Sequence, residues 1–537
     1  MPSATTPSQS NIAFSPLWSR ATVLFLSFIT LLRLFQLSSM ELSLDEAYYW
    51  EWSRRPSLGY YDQGPMVSYM LYLTTRLFGS NEFGVRIGVL IATLITSLLC
   101  VTLAKRVFQS PLAGFLTACL LGLTPLSEVG SLITTYDPLM VVFWAATLVC
   151  LERALFAPER KAQNRAWLCA GVTMGLGFLS KHTMLLILPC VSLFLMISPA
   201  HRVWFRRPQP YLALLVCLLL YSGVFYWNIQ HDWWTFRHLF FLVKKDFGSP
   251  LKRFGDFIGS QALLLGPVLF AGTFVACRWG WLSSASHTKS RETEGVAAPI
   301  HEPNWQYRFL VCCGLPVFLF FSALSLKAKV QGNWAPCTWL SLTVLWAGFL
   351  AQLAETNPRR VKALVAWATG TALFITGVMI VPSFRVALGI RIPVDQDLSN
   401  TAYGWREMAE YVQPVRARLE KEGKPVFIAA NDYQYASALA FYLPDRPETY
   451  DLFLHTRLSM FAAYLDRLQA QLGNNAVYVN DNDREAEYLE QIFERVEWEA
   501  PIPIWRRNYS KEPIRTLYIA RCYGYKKFVG SEWHEGG

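Results

Sequence analysis

Two neighbouring acidic residues, Asp45 and Glu46, lie in a long patterned segment between two apolar runs, ELSLDEAYYWEWSRRPSLGYYDQGPMVSYM. A carboxylate at this position could accept a proton or hold a substrate, and it could equally cap the first turn of a helix. The acids open a predicted amphipathic helix whose aromatic residues suit a membrane interface, namely Tyr48, Tyr49, Trp50 and Trp52. The segment alone therefore leaves both interpretations open.

Further ionisable side chains stand at the ends of other apolar runs. Asp137 lies in the turn TTYDP, where it could cap the helix that Pro138 begins. Lys181 and His182 separate two short apolar runs. Asp62 follows Asp45 in the first segment, and more polar residues occupy Asn228 to Arg253 and Lys327 to Trp334 (KAKVQGNW).

The elements that must position these residues are membrane helices. Of 537 residues, 53% are hydrophobic and 16% are charged, an apolar supply larger than one soluble core can bury. An ordinary soluble enzyme is therefore excluded. The net charge of +10 comes largely from Lys and Arg in short loops between apolar runs, so no nucleic-acid partner is predicted.

Apolar runs of membrane-spanning length predict a polytopic α-helical membrane protein with about eleven spans. The predicted spans are Leu17 to Leu37, Val85 to Val107, Leu112 to Val129, Pro138 to Phe156, Ala166 to Leu179, Met184 to Ile197, Tyr211 to Trp227, Phe257 to Trp279, Phe309 to Leu324, Trp334 to Leu353 and Leu364 to Pro382. Basic loops follow the even-numbered spans, which predicts a cytoplasmic N-terminus and an external C-terminus.

This topology places the ionisable residues on one membrane face. Asp45, Asp62, Asp137 and Lys181 then share the external side with the segments Asn228 to Arg253 and Lys327 to Trp334. Because ionisable groups are costly at a membrane, their convergence from five loops favours a site over scattered anchors.

The C-terminal part has a different composition. The segment Ser283 to Asn304 predicts a disordered connection, and residues 384–537 predict a small soluble α/β domain after a membrane domain of residues 1–383. Strands are predicted at Lys424 to Ala430, Ala476 to Asn480 and Arg515 to Arg521, with helices at Tyr433 to Leu443 and Arg484 to Arg495. No Gly-rich phosphate loop or nucleophile elbow occurs there, which favours a lid or an acceptor-contacting domain.

Seven motifs together resemble glycosyltransferase family 39, whose members share the GT-C fold with protein O-mannosyltransferases and the lipid A aminoarabinose transferase. These motifs are LDEAYYW, YYDQGP, FGVR, TTYDPLMVVFW, GLGFLSKHT, KVQGNW and ANDYQYASALAFYLP. The sequence departs from the aminoarabinose transferase at Gln63-Gly64-Pro65, where that enzyme has Lys-Pro. This difference argues against the same pair of substrates.

The resemblance implies transfer of a sugar from a polyprenyl phosphate to an envelope lipid, glycan or protein, with inversion, at the non-cytoplasmic face of a bacterial inner membrane. Asp45, with its neighbour Glu46, matches the catalytic loop acid, and Asp137 matches a second acid. Lys181 and Arg86 match positions near the lipid phosphate. The other candidate substrate-binding residues are Tyr61, Asp62, His182, Lys329, Asn333 and Trp334.

These residue types suit the implied reaction. The departing phosphate needs cations more than it needs a proton. A hydroxyl acceptor would need Asp45 as a base, whereas with a phosphate acceptor Asp45 would orient the sugar. A divalent metal shared by the carboxylates is left open, because separate acids serve equally well as hydrogen-bond acceptors.

Two other classes of protein remain as alternatives. A transporter or lipid flippase would place charged or Gly/Pro-broken sites near the middle of its spans. Here the acids lie at span ends, and the loop from Glu41 to Arg86 is long and patterned, which favours an enzyme. A non-catalytic membrane assembly subunit would be favoured if Asp45 and Asp137 proved dispensable.

Overall fold

The computed structural model describes residues 16–244, 248–292, 304–430, 432–452, 458–481, 486–506, 509 and 511–526. Within these ranges the α-helices are α1 (Leu17–Gln36), α2 (Leu44–Arg54), α3 (Met66–Phe78), α4 (Glu82–Phe108), α5 (Pro111–Gly122), α6 (Pro125–Leu132), α7 (Tyr136–Phe156), α8 (Arg160–Ser180), α9 (Ile187–Ile197), α10 (Pro208–Gln230), α11 (Trp234–Lys244), α12 (Pro250–Leu265), α13 (Pro267–Glu292), α14 (Asn304–Cys312), α15 (Leu315–Ser325), α16 (Thr338–Thr356), α17 (Pro358–Ile380), α18 (Pro382–Ala387), α19 (Trp405–Glu420), α20 (Tyr433–Tyr442), α21 (Leu465–Gln469) and α22 (Ala486–Ile492).

Short 3₁₀ helices and six strands complete the described elements. The 3₁₀ helices are His182–Leu186, Arg202–Arg206, Gly332–Trp334, Val394–Gln396, Leu398–Ala402 and Met460–Tyr464. The strands are β1 (Val426–Ala430), β2 (Thr449–Asp451), β3 (Asn475–Asn480), β4 (Phe493–Trp498), β5 (Ile502–Ile504) and β6 (Arg515–Tyr525).

Six helical segments of the described chain are long and apolar enough to cross a membrane, and the count rises to eight if two bent pairs are single spans. The six are α1, α4, α7, α10, α17 and the segment Trp305–Ser325, each of which coincides with a predicted span. The prediction of about eleven spans is not confirmed. The runs in α8, α16 and His182–Ile197 fall outside this set.

The two bent pairs correct predictions of single continuous spans. The run predicted at Phe257 to Trp279 is divided between α12 and α13, which meet at 100°. Gly266 there has a φ of +86°, which favours glycine, and Pro267 cannot continue the preceding helix. The run at Leu112 to Val129 is divided between α5 and α6 with a bend of 69° before Pro125.

Helix α2 is not the interfacial anchor that its aromatic residues suggested. Tyr48, Tyr49, Trp50 and Trp52 are all buried, and the helix packs between α3 and α20. The ring of Tyr48 lies 4.4 Å from that of Tyr433, and Trp50 meets Phe441 edge-on at 5.0 Å. The aromatic residues therefore form a protein interior that joins the first loop to the C-terminal region.

The C-terminal strands form one sheet in the order β2-β1-β3-β6-β4, with β5 also paired to β6. Strands β2 and β3 run parallel to β1, whereas β6 runs antiparallel to β3, β4 and β5. The three predicted strands are confirmed as β1, β3 and β6, and the predicted helix at Tyr433 to Leu443 is confirmed as α20.

Two predictions near this region differ from the structure. The helix predicted at Arg484 to Arg495 is shorter, because α22 ends at Ile492 and the chain continues directly into β4. The disordered connection predicted at Ser283 to Asn304 is helical up to Glu292, as the end of α13, and residues 293–303 lie outside the described residues. The domain boundary at residues 383/384 stays a prediction.

Candidate active site

Asp45 and Glu46, in the first turn of α2, differ in their exposure to solvent. Asp45 is exposed, whereas Glu46 has no exposed surface. Every other residue of α2 is buried or half-buried, so Asp45 is the one exposed residue of this helix. The two acids were both catalytic candidates on the sequence alone, but they lie in different environments.

Glu46 is held inside the protein by four hydrogen bonds. It accepts from the backbone N–H of Ser43 at 2.8 Å and of Thr134 at 2.9 Å. Arg86 donates to its two oxygens, from Nε at 2.9 Å and from Nη2 at 2.8 Å. A catalytic role for Glu46 does not fit this position, because a reacting acid must reach its substrate.

Arg86 is saturated in the same way. It is 1% exposed, and besides Glu46 it donates to the carbonyl oxygens of Leu37, Met40 and Glu41 at 2.7–2.8 Å. A guanidinium has five N–H donors, and these bonds use all of them. The predicted contact between Arg86 and a lipid phosphate therefore does not fit the structure. Arg86 instead fixes the chain that leads from α1 into α2.

Asp137 joins three separate elements at the opening of α7. Lys181, between α8 and the 3₁₀ helix His182–Leu186, donates to its Oδ1 at 2.5 Å. Asn333 donates to Oδ2 at 2.9 Å, and the Lys181 ammonium lies 5.0 Å from the centre of the Tyr136 ring. The cap of α7 is Thr135, whose Oγ1 accepts from the Asp137 N–H, so the alternative in which Asp137 caps this helix is wrong.

A pair of tyrosines, Tyr49 and Tyr136, lies near Asp45, and Tyr136 directly precedes Asp137 in the chain. Their rings meet edge-on at 5.6 Å. Burial raises the pKa of Tyr49, and the nearby Tyr136, Asp45 and Asp62 raise it further. Tyr49 therefore stays protonated at neutral pH and can act as a neutral hydrogen-bond donor beside the carboxylates.

The segment Tyr61-Asp62-Gln63-Gly64 lies beside this group. Asp62 accepts a hydrogen bond from the Tyr48 hydroxyl at 2.7 Å and lies 3.6 Å from His238 Nε2. The Tyr61 ring lies 4.8 Å from that of His238. A Cβ on Gly64 would lie 2.0 Å from the carbonyl oxygen of Leu179, so this close passage requires glycine.

His182 bridges the first loop and α10. Its Nδ1 lies 2.9 Å from Gln63 Oε1, and its Nε2 lies 2.6 Å from the Tyr221 hydroxyl. Both ring nitrogens thus have protein partners, an arrangement that orients the ring firmly. His182 follows Lys181 in the chain, and its described hydrogen bonds are to Gln63 and Tyr221.

The segment KVQGNW contributes unequally to the site. Asn333 reaches Asp137, as described above. Trp334 is half-buried and packs edge-on against Phe321 at 6.5 Å, and Lys329 is exposed. Of these three predicted residues, the structure brings Asn333 to the acid.

The structure also adds residues that the sequence did not single out as a site. Gln434 of α20 donates to Asp45 Oδ1 at 2.9 Å, and His238 and Tyr221 contact predicted site residues. The motif ANDYQYASALAFYLP flagged the neighbourhood of Gln434. Nothing local in the sequence indicates its contact with a residue 389 positions earlier.

No three His, Cys, Asp or Glu side chains are grouped for a metal ion among the residues that the structure describes. A divalent cation shared by Asp45 and Asp137 therefore gains no support from this geometry. The site instead offers an exposed acid, a buried acid–lysine pair and neutral hydroxyl and amide groups.

Comparisons with known proteins agree with the motif resemblance. A family model described as dolichyl-phosphate-mannose-protein mannosyltransferase matches residues 62–227. The lipid A galacturonosyltransferase of Rhizobium johnstonii is 27% identical over 305 residues, 56% of this chain and 59% of that protein. The undecaprenyl phosphate-alpha-4-amino-4-deoxy-L-arabinose arabinosyl transferase of Pseudomonas aeruginosa is 32% identical over 187 residues, 33% of each chain. The match thus spans less than two thirds of either relative.

Solved structures show the same fold. ArnT from Cupriavidus metallidurans bound to undecaprenyl phosphate superposes with a TM-score of 0.64 and 14% identity, covering 94% of this chain and 98% of that one. The archaeal oligosaccharyltransferase AglB from Archaeoglobus fulgidus gives 0.50 at 11% identity, covering 86% of this chain and 70% of that one. The predicted family resemblance and the helical membrane GT-C fold are confirmed.

Proposed function

We propose that this protein is a membrane glycosyltransferase that moves a sugar from a polyprenyl phosphate to an acceptor on the non-cytoplasmic face, with inversion. One observation carries the proposal: the contacting Tyr49 and Tyr136 both lie near the exposed Asp45, and Tyr136 directly precedes the buried Asp137, which pairs with Lys181. An acid open to a substrate and a cation suited to a phosphate thus occupy one region. The names of the relatives support a lipid-linked donor and the transfer of a sugar.

Lysine 181 is the proposed contact for the donor phosphate. Its ammonium has three N–H donors, and among the described residues it gives one side-chain hydrogen bond, to Asp137. Asp137, which also accepts from Asn333, holds the ammonium in place, and its remaining N–H groups are proposed to donate to the phosphate. Stabilising the charge that develops on the departing phosphate is a large source of rate acceleration.

Asp45 is the proposed base when the acceptor is a hydroxyl. The acceptor oxygen attacks the anomeric carbon, the bond from that carbon to the phosphate oxygen breaks, and Asp45 takes the hydroxyl proton. Polyprenyl phosphate leaves with the bonding electrons. With a phosphate acceptor no proton is lost, and Asp45 would instead orient the sugar through its hydroxyl groups.

The acceptor class follows less directly from the site. An envelope lipid, a glycan and a protein all fit the chemistry, and the name of the Rhizobium relative favours lipid A or a similar lipid. Gln63 is engaged with His182, at the point where the sequence departs from the Lys-Pro of the aminoarabinose transferase. A sugar other than aminoarabinose is therefore proposed.

The reaction test compares donors on purified protein in detergent. We expect turnover with synthetic polyprenyl-phosphate sugars and none with the matching nucleotide sugars. Asp45→Asn should fold normally and lose of order 100- to 10,000-fold in rate, as loss of a general base does. Asp466→Asn, on the exposed surface of α21, is the matched control. Turnover of nucleotide sugars alone, or a fully active Asp45→Asn protein, would overturn the proposal.

The location is a separate part of the proposal. Residues 384–537 are assigned to the periplasmic or extracellular side of a bacterial inner membrane, because the basic loops predict this orientation. Reporter fusions at Gly537 and within residues 283–304 should report opposite sides of the membrane. The same side for both fusions would contradict the topology.

A further inference from the structure

We infer that Gln434, from the C-terminal region, is a positioning residue for Asp45, so that the catalytic site is incomplete without that region. This inference rests on the proposed function, in which Asp45 is the reacting acid. Gln434 Nε2 donates to Asp45 Oδ1 at 2.9 Å, and the two residues are 389 positions apart in the chain. A lid without a polar contact to the acid would not require this residue.

The backbone around Gln434 is held rigidly. Asp432 caps α20 by accepting from the Gln434 N–H at 2.7 Å. On either side of Gln434, Tyr433 and Tyr435 are buried, and Tyr433 packs its ring against Tyr48 at 4.4 Å. The backbone of the half-buried Gln434 is therefore fixed by the helix cap and by the packing of its neighbours.

The first loop is also fixed to the C-terminal region on both sides of Asp45. Before it, Leu42 N–H donates to the Tyr442 hydroxyl at 2.7 Å. After it, the Tyr48 hydroxyl accepts from the Met460 N–H at 2.7 Å. These contacts hold α2 in a fixed position against the C-terminal region. The backbones that carry Asp45 and Gln434 therefore keep a fixed separation.

The chemistry of the contact suits a reacting carboxylate. An amide N–H that donates to Oδ1 restricts the rotamer of Asp45 and so orients its carboxylate. Since Asp45 is exposed and water competes for it, we expect the contact to affect the rate by about tenfold, the lower end for hydrogen bonds to charged groups.

The test measures turnover and donor affinity for the full-length protein. Gln434→Met keeps the length of the side chain and removes the donor, so kcat should fall about tenfold while KM for a polyprenyl-phosphate sugar stays within about twofold. Gln469→Met, at the exposed end of α21, is the matched control and should behave as the parent protein. Thermal unfolding in detergent checks that each variant is folded.

Gln434→Glu provides a readout that a purely structural role would not move. Above its pKa the new carboxylate repels Asp45, whereas its protonated form can donate to Asp45 again. The activity of this variant relative to the parent should therefore rise as the pH is lowered from about 7 to about 4.5, the range in which a glutamate beside another carboxylate takes up its proton. A flat ratio across this range would overturn the inference, even if Gln434→Met were less stable.

The remaining outcomes separate the two proposals. Normal kcat in Gln434→Met, together with an inactive Asp45→Asn protein, would overturn the role of Gln434 and leave Asp45 as the reacting acid. Normal kcat in both variants would overturn the catalytic assignment of Asp45 itself. A loss of donor affinity with unchanged kcat would place Gln434 in donor binding and contradict positioning.

Discussion

The Glu46–Arg86 pair and the Asp137–Lys181 pair both join a carboxylate to a cation near the ends of long apolar helices. They differ in how many hydrogen-bond donors of the cation are already bonded within the protein. Arg86 donates all five of its N–H groups, to Glu46 and to three carbonyl oxygens. Among the described residues, Lys181 gives one side-chain hydrogen bond, to Asp137. The two cations do not differ in burial, since Arg86 is 1% exposed and Lys181 is 4% exposed.

Spare hydrogen-bond donors distinguish a candidate site from a structural ion pair in this protein. A saturated buried pair cannot accept a ligand without breaking bonds that hold the chain together. A pair with spare donors can bind a phosphate and keep its own contact. Removing each cation should therefore affect a different property, stability for Arg86 and donor binding for Lys181.

Breaking the saturated pair should have the largest effect on stability. Arg86→Met leaves Glu46 buried without its cation, and such losses cost about 3–5 kcal/mol. We expect a strong fall in the thermal unfolding midpoint and in the yield of monodisperse protein. Arg86→Lys should recover little, because three donors cannot replace five in a fixed planar arrangement. A stable Arg86→Met protein with weakened donor binding would contradict the structural role and return Arg86 to the phosphate site.

Breaking the pair with spare donors should affect the donor more than the fold. Lys181→Met is expected to raise KM for the polyprenyl-phosphate sugar by about tenfold or more, the size of a lost charged hydrogen bond. The loss of stability should be smaller, about 1–2 kcal/mol, because Asp137 keeps Asn333 and lies in the first turn of α7. Lys362→Met, exposed at the start of α17, is the control. Unchanged donor affinity in a folded Lys181→Met protein would rule out the phosphate contact.

A third acid, Glu41, should show the smallest effect. Its Oε2 accepts from the Trp405 N–H at 2.7 Å and so caps α19 from the first loop. Glu41→Ala should lower the free energy of unfolding by about 1 kcal/mol, as the loss of a helix cap does. Glu41→Gln should cost less, because it keeps an oxygen acceptor.

The pH dependence of the Glu41 contribution has a definite sign. Burial raises the pKa of Glu41 above 4.5, although the N–H groups of Trp405 and Arg406 oppose the shift. The folded state therefore binds this proton more tightly than the unfolded state does. The Glu41 contribution to stability should decrease as the pH rises from 4.5 through the raised pKa, and Glu41→Gln should lack this decrease. The opposite slope would contradict the assignment.

The sequence alone determined the class of the protein and several of its parts. Apolar length identified the helices α1, α4, α7, α10 and α17, because a bilayer requires about twenty apolar residues. Alternating and periodic residues identified β1, β3, β6 and α20 in the C-terminal region. The motifs identified the family resemblance and brought Asp45, Asp137, Lys181 and Asn333 into the candidate set, although their roles stay predictions.

Which charged residues can still bind a ligand depends on contacts between distant parts of the chain. Asp45 and Glu46 are neighbours in one sequence motif, yet a helix turns consecutive side chains about 100° apart, so one faces outward and the other faces the interior. The aromatic residues of α2 looked like interface anchors because composition cannot tell a membrane surface from a protein interior. Arg86 and Gln434 make their hydrogen bonds to residues far away in the chain. The spacing of residues within a motif cannot predict such contacts.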